Sequence, residues 1–437
     1  MGNYTAEEIR TMCEKHRSQT TVLRNRWEDD FDLFRLEAYT IALEAGKFDD
    51  ITCNSPAVLG GKIIEYLADA SLKFRVPIQA RATKTGRTRG NNNELFAYGM
   101  NEIAEDNWQA FPLHQSLQAE ASFFTTIRGV TARRIYLWED KGVVVPDVAE
   151  WDILNTYWGT GGKGLDWACY KRNTTAKEID ELYGKTVTEN DDGWVEVSDH
   201  WDNEFETVIC GDEIVYENEH KLGYIPVYIK GCGAVPLIQS GRHNDTMRNW
   251  AESCYQYNRS VYPAENEIAS YYRTTIALGV KTPKVVWYTG ALPAENPFEA
   301  DPFRKGGVIP ISADKFVKIE DFVKPTMPGD TAAFLNFLVG MKNVGGLPPI
   351  SYGDPERMQT LGGLNLLNHN AMTILKPRKK LMEQEYNWTV KEFINQYING
   401  KFKEVEVGGF DNKQKQYALT LSADKLEKTR RVITELV

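Results

Sequence analysis

The sequence predicts an α+β fold, mainly α, and three observations lead there. Apolar residues recur at three-to-four-residue steps over about residues 5–46, 54–67, 94–127, 245–279, 330–344 and 364–398, which is the period of an amphipathic helix. From residue 130 to 220 the period changes to that of strands, with turn residues between short apolar runs. A small Pro/Gly-rich β segment, residues 282–325, then sits between two helical regions.

The elements follow in order. Thr5 and Glu8 make a capping box, and Ile9, Met12, Cys13, His16, Leu23, Trp27, Phe31 and Phe34 continue it as one or two amphipathic helices up to about Gly46. Asn54-Ser55-Pro56 starts a helix with proline at its first position, and Val58, Leu59, Ile63, Ile64 and Leu67 give it one apolar face. The basic, Gly- and Asn-rich stretch 73–93 reads as a strand and a mobile loop, and a helical region follows to Ile127. TARRIYLW, GVVVPDV and WDILNTYW read as strands. Thr175 and Glu178 cap a short helix that ends at Gly184. WVEVSDHW, FETVIC and EIVYENEH form an antiparallel meander with a turn at Gly211-Asp212. A helical region from Asp245 to Gly279 carries Met247, Trp250, Cys254, Tyr257 and Val261 on one face and is interrupted or kinked at Pro263. Short strands at KVVWYT, GGVIPIS and KFVKIE precede a second helix at 330–344. GGLPPISYGDPERMQTLGG is mostly irregular, and a long helix containing Pro377 follows it. Strands at KEVEVGG and YALTL and a final short helix close the chain.

Composition bounds the function. The 437 residues suggest two or three domains, and 42% hydrophobic residues suffice for a sizeable core. The formal net charge is −10, against a protein whose main task is a tight sequence-independent grip on nucleic acid. That acidity is local: residues 186–220 hold twelve Asp and Glu and no Lys or Arg, so the rest of the chain nets +2. The expected place for this meander is a solvated outer surface. The N-terminus reads neither as a secretory signal nor as a myristoylation site, since Ala6 stands where Ser or Thr is needed. The longest apolar run is about ten residues and is interrupted by Asn336, short of the ~20 that span a bilayer, so the expectation is a soluble protein with no membrane partner. Six cysteines without a CxxC pair fit reduced core thiols in a cytosolic compartment.

Catalytic and cofactor signatures were sought in turn. Gly159–Gly164 and Gly60-Gly61-Lys62 resemble pieces of phosphate loops, but neither has Ser or Thr after the lysine. GxSxG, HExxH and EF-hand patterns are absent from the sequence, and the six histidines do not pair at ligand spacing. Asp29/Asp30/Asp32 and Asp191/Asp192 are carboxylate groupings that a solvated helix or turn also explains. The expectation is a non-enzymatic protein with no cofactor and no metal.

Four stretches carry a resemblance: DWACYKRNTTAKEIDELYG, EHKLGYIPVYIKG, YQYNRSVYPAENEIASYYRTTIALG and GGLPPISYGDPERMQTLGGLNLLNHNAMTILKPRKKLMEQEY. In this order, over about residues 165–400, they resemble the portal, or head-to-tail connector, proteins of tailed bacteriophages. The resemblance implies a portal-type fold: a wing at 1–254 with 363–425 returning to it, stem helices at 255–281 and 326–344, a clip at 282–325, a channel (tunnel) loop at 345–362, and a short crown starting at 426–437. It also implies a dodecameric homo-oligomer at one capsid vertex that conducts double-stranded DNA and docks the terminase and a head-tail adaptor. The major capsid and scaffolding proteins are further implied partners. Localisation is then the virion, and the host cytoplasm during assembly.

Candidate residues follow from that frame. Lys342, Arg357 and Gln359 are candidates for transient phosphate contact in the channel, or alternatively pair with Asp354 and Glu356. Phe298, Arg304 and Lys305 are candidates for adaptor contact at the clip, or for clip-to-clip packing. Gly345, Gly346, Gly362 and Gly363 are candidate loop hinges, or plain helix caps. Trp250, Tyr255, Tyr257, Tyr271, Tyr272 and Trp287 are aromatic anchors for a subunit interface or for the chain's own core. Residues 241–400 hold 18 Lys and Arg against 16 Asp and Glu, so the implied conduit has no continuous basic groove. A metal-dependent hydrolase or nuclease acting through clustered carboxylates, and a non-viral homo-oligomeric scaffold, are the alternatives.

Overall fold

The computed structural model describes residues 4–41, 48–77, 84–190, 192–233, 250–280, 284–288, 308–312, 318–321, 329–347, 361–411, 415–429 and 431–437. The chain is mixed α+β. Its elements are α1 (Ala6–Gln19), α2 (Thr21–Arg35), α3 (Ser55–Ala68), β1 (Leu72–Arg75), α4 (Lys84–Gln109), α5 (Leu117–Phe123), β2 (Val130–Asp140), β3 (Val143–Glu150), β4 (Thr156–Gly161), β5 (Gly164–Thr174), α6 (Ala176–Tyr183), β6 (Val195–Trp201), β7 (Phe205–Cys210), β8 (Glu213–Glu219) and β9 (Val227–Gly231). They continue as α7 (Val261–Val280), β10 (Lys284–Tyr288), β11 (Val308–Ser312), β12 (Lys318–Asp321), α8 (Thr331–Gly345), α9 (Leu361–Gly400), β13 (Val405–Phe410), β14 (Gln416–Leu421) and β15 (Ile433–Leu436). Two compact units result. The first comprises Met1–Asp29, Gly61–Cys254 and Met372–Val437; the second comprises Asp30–Gly60 and Tyr255–Ala371.

In the first unit the strands form a five-stranded antiparallel sheet, β4-β5-β6-β7-β8, a three-stranded sheet, β3-β2-β9, and the pairs β13-β14 and β1-β15. The core gathers Phe74, Phe96, Met100, Ile135, Tyr386, Val390, Phe393 and Tyr397 from β1, α4, β2 and α9. The Thr5 capping box forms as expected, with Thr5 N donating to Glu8 Oε2 at 2.8 Å. A π-helical turn, Phe124–Arg128, ends on Gly129 at φ +71, where a Cβ would meet the Glu252 carbonyl oxygen at 2.4 Å; only glycine tolerates both the sign of φ and the approach.

Four readings are corrected. Residues 84–93, expected as loop, are the first turns of α4; burial of Phe96, Ala97, Met100 and Ala104 farther along the same helix overrides the poor local propensity. Among the residues expected to be helical from 245 to 260, those described, 250–260, are not α-helix. Helix α7 begins at Val261, so Pro263 occupies its first turn, where the missing N–H breaks no helical bond, and it causes no interruption. The expected C-terminal helix is a 3₁₀ turn, Ala423–Lys425, followed by β15, because Val432, Thr434 and Leu436 alternate inward at strand spacing while β15 pairs with β1. The stretch for which the resemblance implies a crown therefore ends as a strand of the first unit.

The second unit holds a small three-stranded sheet and the helices around it. β10 pairs in parallel with β11 and antiparallel with β12. α7 and α8 flank this small sheet in the chain and pack on each other.

Candidate functional site

Asn266, Ser270 and Thr274 stand four residues apart on α7 and so form one polar line along the helix. All three are buried. A strap at 49–53 lies against this line: the backbone N–H groups of Cys53, Ile51 and Asp49 donate to Asn266 Oδ1, Ser270 Oγ and Thr274 Oγ1, each at 2.8 Å. The two hydroxyls donate their own protons back to the carbonyls of Asn266 and Ser270, at 2.8 Å each, which leaves their lone pairs for the strap. The strap's other residues face the opposite way: Asp50 and Thr52 accept from the backbone N–H groups of Ile41 and Tyr39. Every rung satisfies a part-buried amide, and removing an acceptor would cost on the order of 1 kcal/mol.

A second knot ties α7 to α8. Lys342 Nζ lies 2.6 Å from Glu265 Oε1 and donates to Ser55 Oγ at 2.8 Å. Its main-chain carbonyl accepts from Asn258 Nδ2 at 3.0 Å. The Lys342 charge is thus met by Glu265 on α7, a partner that sequence reading did not consider. Arg259 makes a two-pronged pair with the fully buried Asp30, at 2.7 and 2.8 Å. Asn258 also explains Gly345, since a Cβ there would lie 2.2 Å from Asn258 Oδ1. Gly346 follows at φ −126, ψ −156, extended rather than left-handed, so it is no αL cap. Gly362 and Gly363 fall in the first turn of α9. Arg357, Gln359, Phe298, Arg304 and Lys305 lie outside the described residues.

Among the described residues, α7 and α8 each expose an apolar row. On α8, Phe334, Phe337, Met341 and Val344 follow at steps of three, four and three residues and are all exposed, Val344 to 91%. Leu338 is the one buried side chain of that helix among the described residues. On α7, Tyr272, Ile276 and Val280 repeat every four residues and are also exposed. An apolar groove of about 350 Å³ runs between them, lined by Ile51, Ala269, Tyr272, Arg273, Ile276 and Leu335. Of the aromatic anchors, Tyr257 and Tyr272 are exposed, whereas Tyr255 is buried with its hydroxyl donating to the Pro56 carbonyl. Trp250 packs against Trp27 and Trp158 in the first unit, Trp287 is half-buried on β10, and Tyr271 meets Phe48 edge to face.

The acidic meander is not wholly solvated. Asp199 lies 3.9 Å from Arg134 Nε, and Arg134 in turn holds Asp147 at 2.7 and 2.8 Å. Burial raises both the Asp199 and the Glu206 carboxyls, and Arg134 draws them back down. Asp202 is buried and accepts from the backbone N–H groups of Glu204 and Phe205. Among the described residues, no group of three or more His, Cys, Asp or Glu is disposed to hold a metal ion, and no described helix is long and apolar enough to cross a membrane. No protein-family model matches the chain, and no curated protein matches it.

The polar line on α7 escaped sequence reading. Its signal was present as Asn266, Ser270 and Thr274 at four-residue spacing, which puts three short hydrogen-bonding side chains on one face of the helix.

Proposed function

We propose that this protein is a portal-type subunit: a non-enzymatic building block of a ring that conducts double-stranded DNA through a capsid vertex and docks a packaging motor and a head-tail adaptor. The observation that carries the reading is the apolar stripe Phe334–Phe337–Met341–Val344 on α8, whose members stay 42–91% exposed among the described residues. A contiguous exposed apolar face is the mark of an interaction surface, and on a helix beside a second helix with its own exposed row it suits contact with further copies of the chain. Two other features support it. The order helix, small three-stranded sheet, helix, long helix matches what the family resemblance implies for stem, clip, stem and returning wing helix. Lys342 is neutralised by Glu265 and the region is nearly charge-balanced, as suits a passage through which DNA slides rather than binds.

The decisive experiment is the mass of the purified chain in solution together with electron micrographs of negatively stained particles. The expected result is a closed ring of about a dozen subunits with a central hole. A monomer or dimer, or divalent-metal-dependent hydrolysis by such a species, would overturn the proposal. Removing residues 348–358 is expected to leave rings intact while impairing DNA packaging or retention, read as genome-filled capsids; loss of rings would show that the loop serves assembly instead.

A further inference from the structure

Arg133 sits on β2 with its side chain fully buried. Two carboxylates meet it, one too many for its single charge. Glu150, from β3, pairs with the guanidinium closely, and Glu385, from α9, lies 3.5 Å from Nε; both side chains are also fully buried. Thr389 accepts from Arg133 Nη1 at 2.9 Å, Thr131 donates to Glu385 Oε1, and the guanidinium stacks over the Tyr386 ring at 4.3 Å. These contacts satisfy one oxygen of each carboxyl group. Glu150 Oε2 and Glu385 Oε2 remain buried with no donor. Two anions held this way around one cation leave a net charge of −1 and two buried oxygens without a donor, which is unfavourable away from water. One proton removes both problems, since a carboxylic acid on one side supplies the missing donor to the other.

We infer that Glu150 and Glu385 share one proton at neutral pH and act as a proton-held clasp between the β2–β3 hairpin and α9, which opens when an alkaline shift removes that proton. The other titratable groups around the clasp deepen the same bias. Glu120 from α5 adds negative potential at Glu150, and Glu105 from α4 does so at Tyr386. Tyr228 on β9 is itself raised by burial and by Glu385. Arg133 is the one cation among the groups that act on the pair most strongly. Burial, foremost, raises both carboxyls, and Arg133 opposes it. Glu150, nearest the guanidinium, is the natural anion, and Glu385 the natural acid.

The linkage has a definite sign. A carboxyl whose folded value lies above its unfolded value lends stability that is complete below the unfolded value and is lost as pH rises through the folded one. The test compares unfolding of the full-length wild type with Glu385→Gln from pH 5 to 9, at one fixed subunit concentration. Glutamine keeps the donor and cannot ionise. The wild-type unfolding constant is expected to rise about tenfold more per pH unit than that of the variant until the proton is lost. Equal slopes would overturn the clasp. Should Glu385→Gln fail to fold, Glu150→Gln is compared with the wild type in the same way: the same tenfold difference in slope supports the clasp, and equal slopes refute it.

Discussion

Helix α9, over residues 372–400, turns Tyr386, Val390, Phe393, Ile394 and Tyr397 inward until none is exposed, whereas α8 turns Phe334, Phe337, Met341 and Val344 outward. The first unit is an ordinary core in which apolar side chains close on each other. The second differs, for α7 buries the polar line Asn266, Ser270 and Thr274 beyond Val261 and Tyr262, and its apolar rows on α7 and α8 are exposed among the described residues. The difference teaches what each unit needs. The first is held mainly by its own burial, at roughly 25 cal/mol per Å²; the second adds a buried hydrogen-bonded ladder to a smaller apolar core that includes Leu59, Tyr255 and Tyr262, and keeps apolar area on α7 and α8 exposed.

Truncating the closed core has the largest expected effect. Phe393→Ala should destabilise the first unit by about 3–5 kcal/mol, read by chemical denaturation, because it empties a fully buried site. Acid comes next. His200 is buried with neither ring nitrogen partnered, and burial pushes it down to about 4. A histidine depressed in the folded state lends stability that is present above its unfolded value near 6.5 and is lost as pH falls toward 4, by roughly 3 kcal/mol in all. His200→Phe should flatten that acid limb in melting curves; an unchanged limb would assign it to other groups. A smaller effect is expected in the ladder. Ser270→Ala should cost about 1–2 kcal/mol, and hydrogen exchange at the Ile51 amide should quicken selectively. The smallest change in stability, within about 0.5 kcal/mol, is expected for Phe337→Glu, since that side chain touches mainly solvent and Phe334. Its effect should appear in particle size, as smaller assemblies than the wild type forms. If Phe337→Glu unfolds the chain instead, the contrast between the two units fails.

Much of the architecture was legible. The Thr5–Glu8 box, the strands of the acidic meander, the three short strands at 284–321 and the long helix through Pro377 all carry their signals locally, in caps, alternation and period. What was not legible depends on partners distant in sequence. Residues 84–93 become helix because α4 packs on β3 and β13. Arg133 looks like an ordinary strand residue in TARRIYLW until Glu385, some 250 positions later, is brought beside it. Among the channel, clip and hinge candidates, only Lys342 and the four glycines fall on described residues. The Lys342 partner, Glu265, lies on another helix, so nothing in the neighbourhood of Lys342 announced it.

The ladder between the strap and α7 behaves as a vernier. Two residues of stretched backbone advance about 6.4–6.8 Å, and four residues of α-helix advance about 6.0 Å. The two scales agree closely enough to align at Cys53, Ile51 and Asp49, yet they drift by about half an ångström per rung. Three rungs absorb that drift within hydrogen-bond tolerance, and a much longer ladder would fall out of step. The strap is therefore self-limiting in length, and its alignment is distinct: sliding it by one residue would turn the amides of Asp49, Ile51 and Cys53 away from their acceptors on α7.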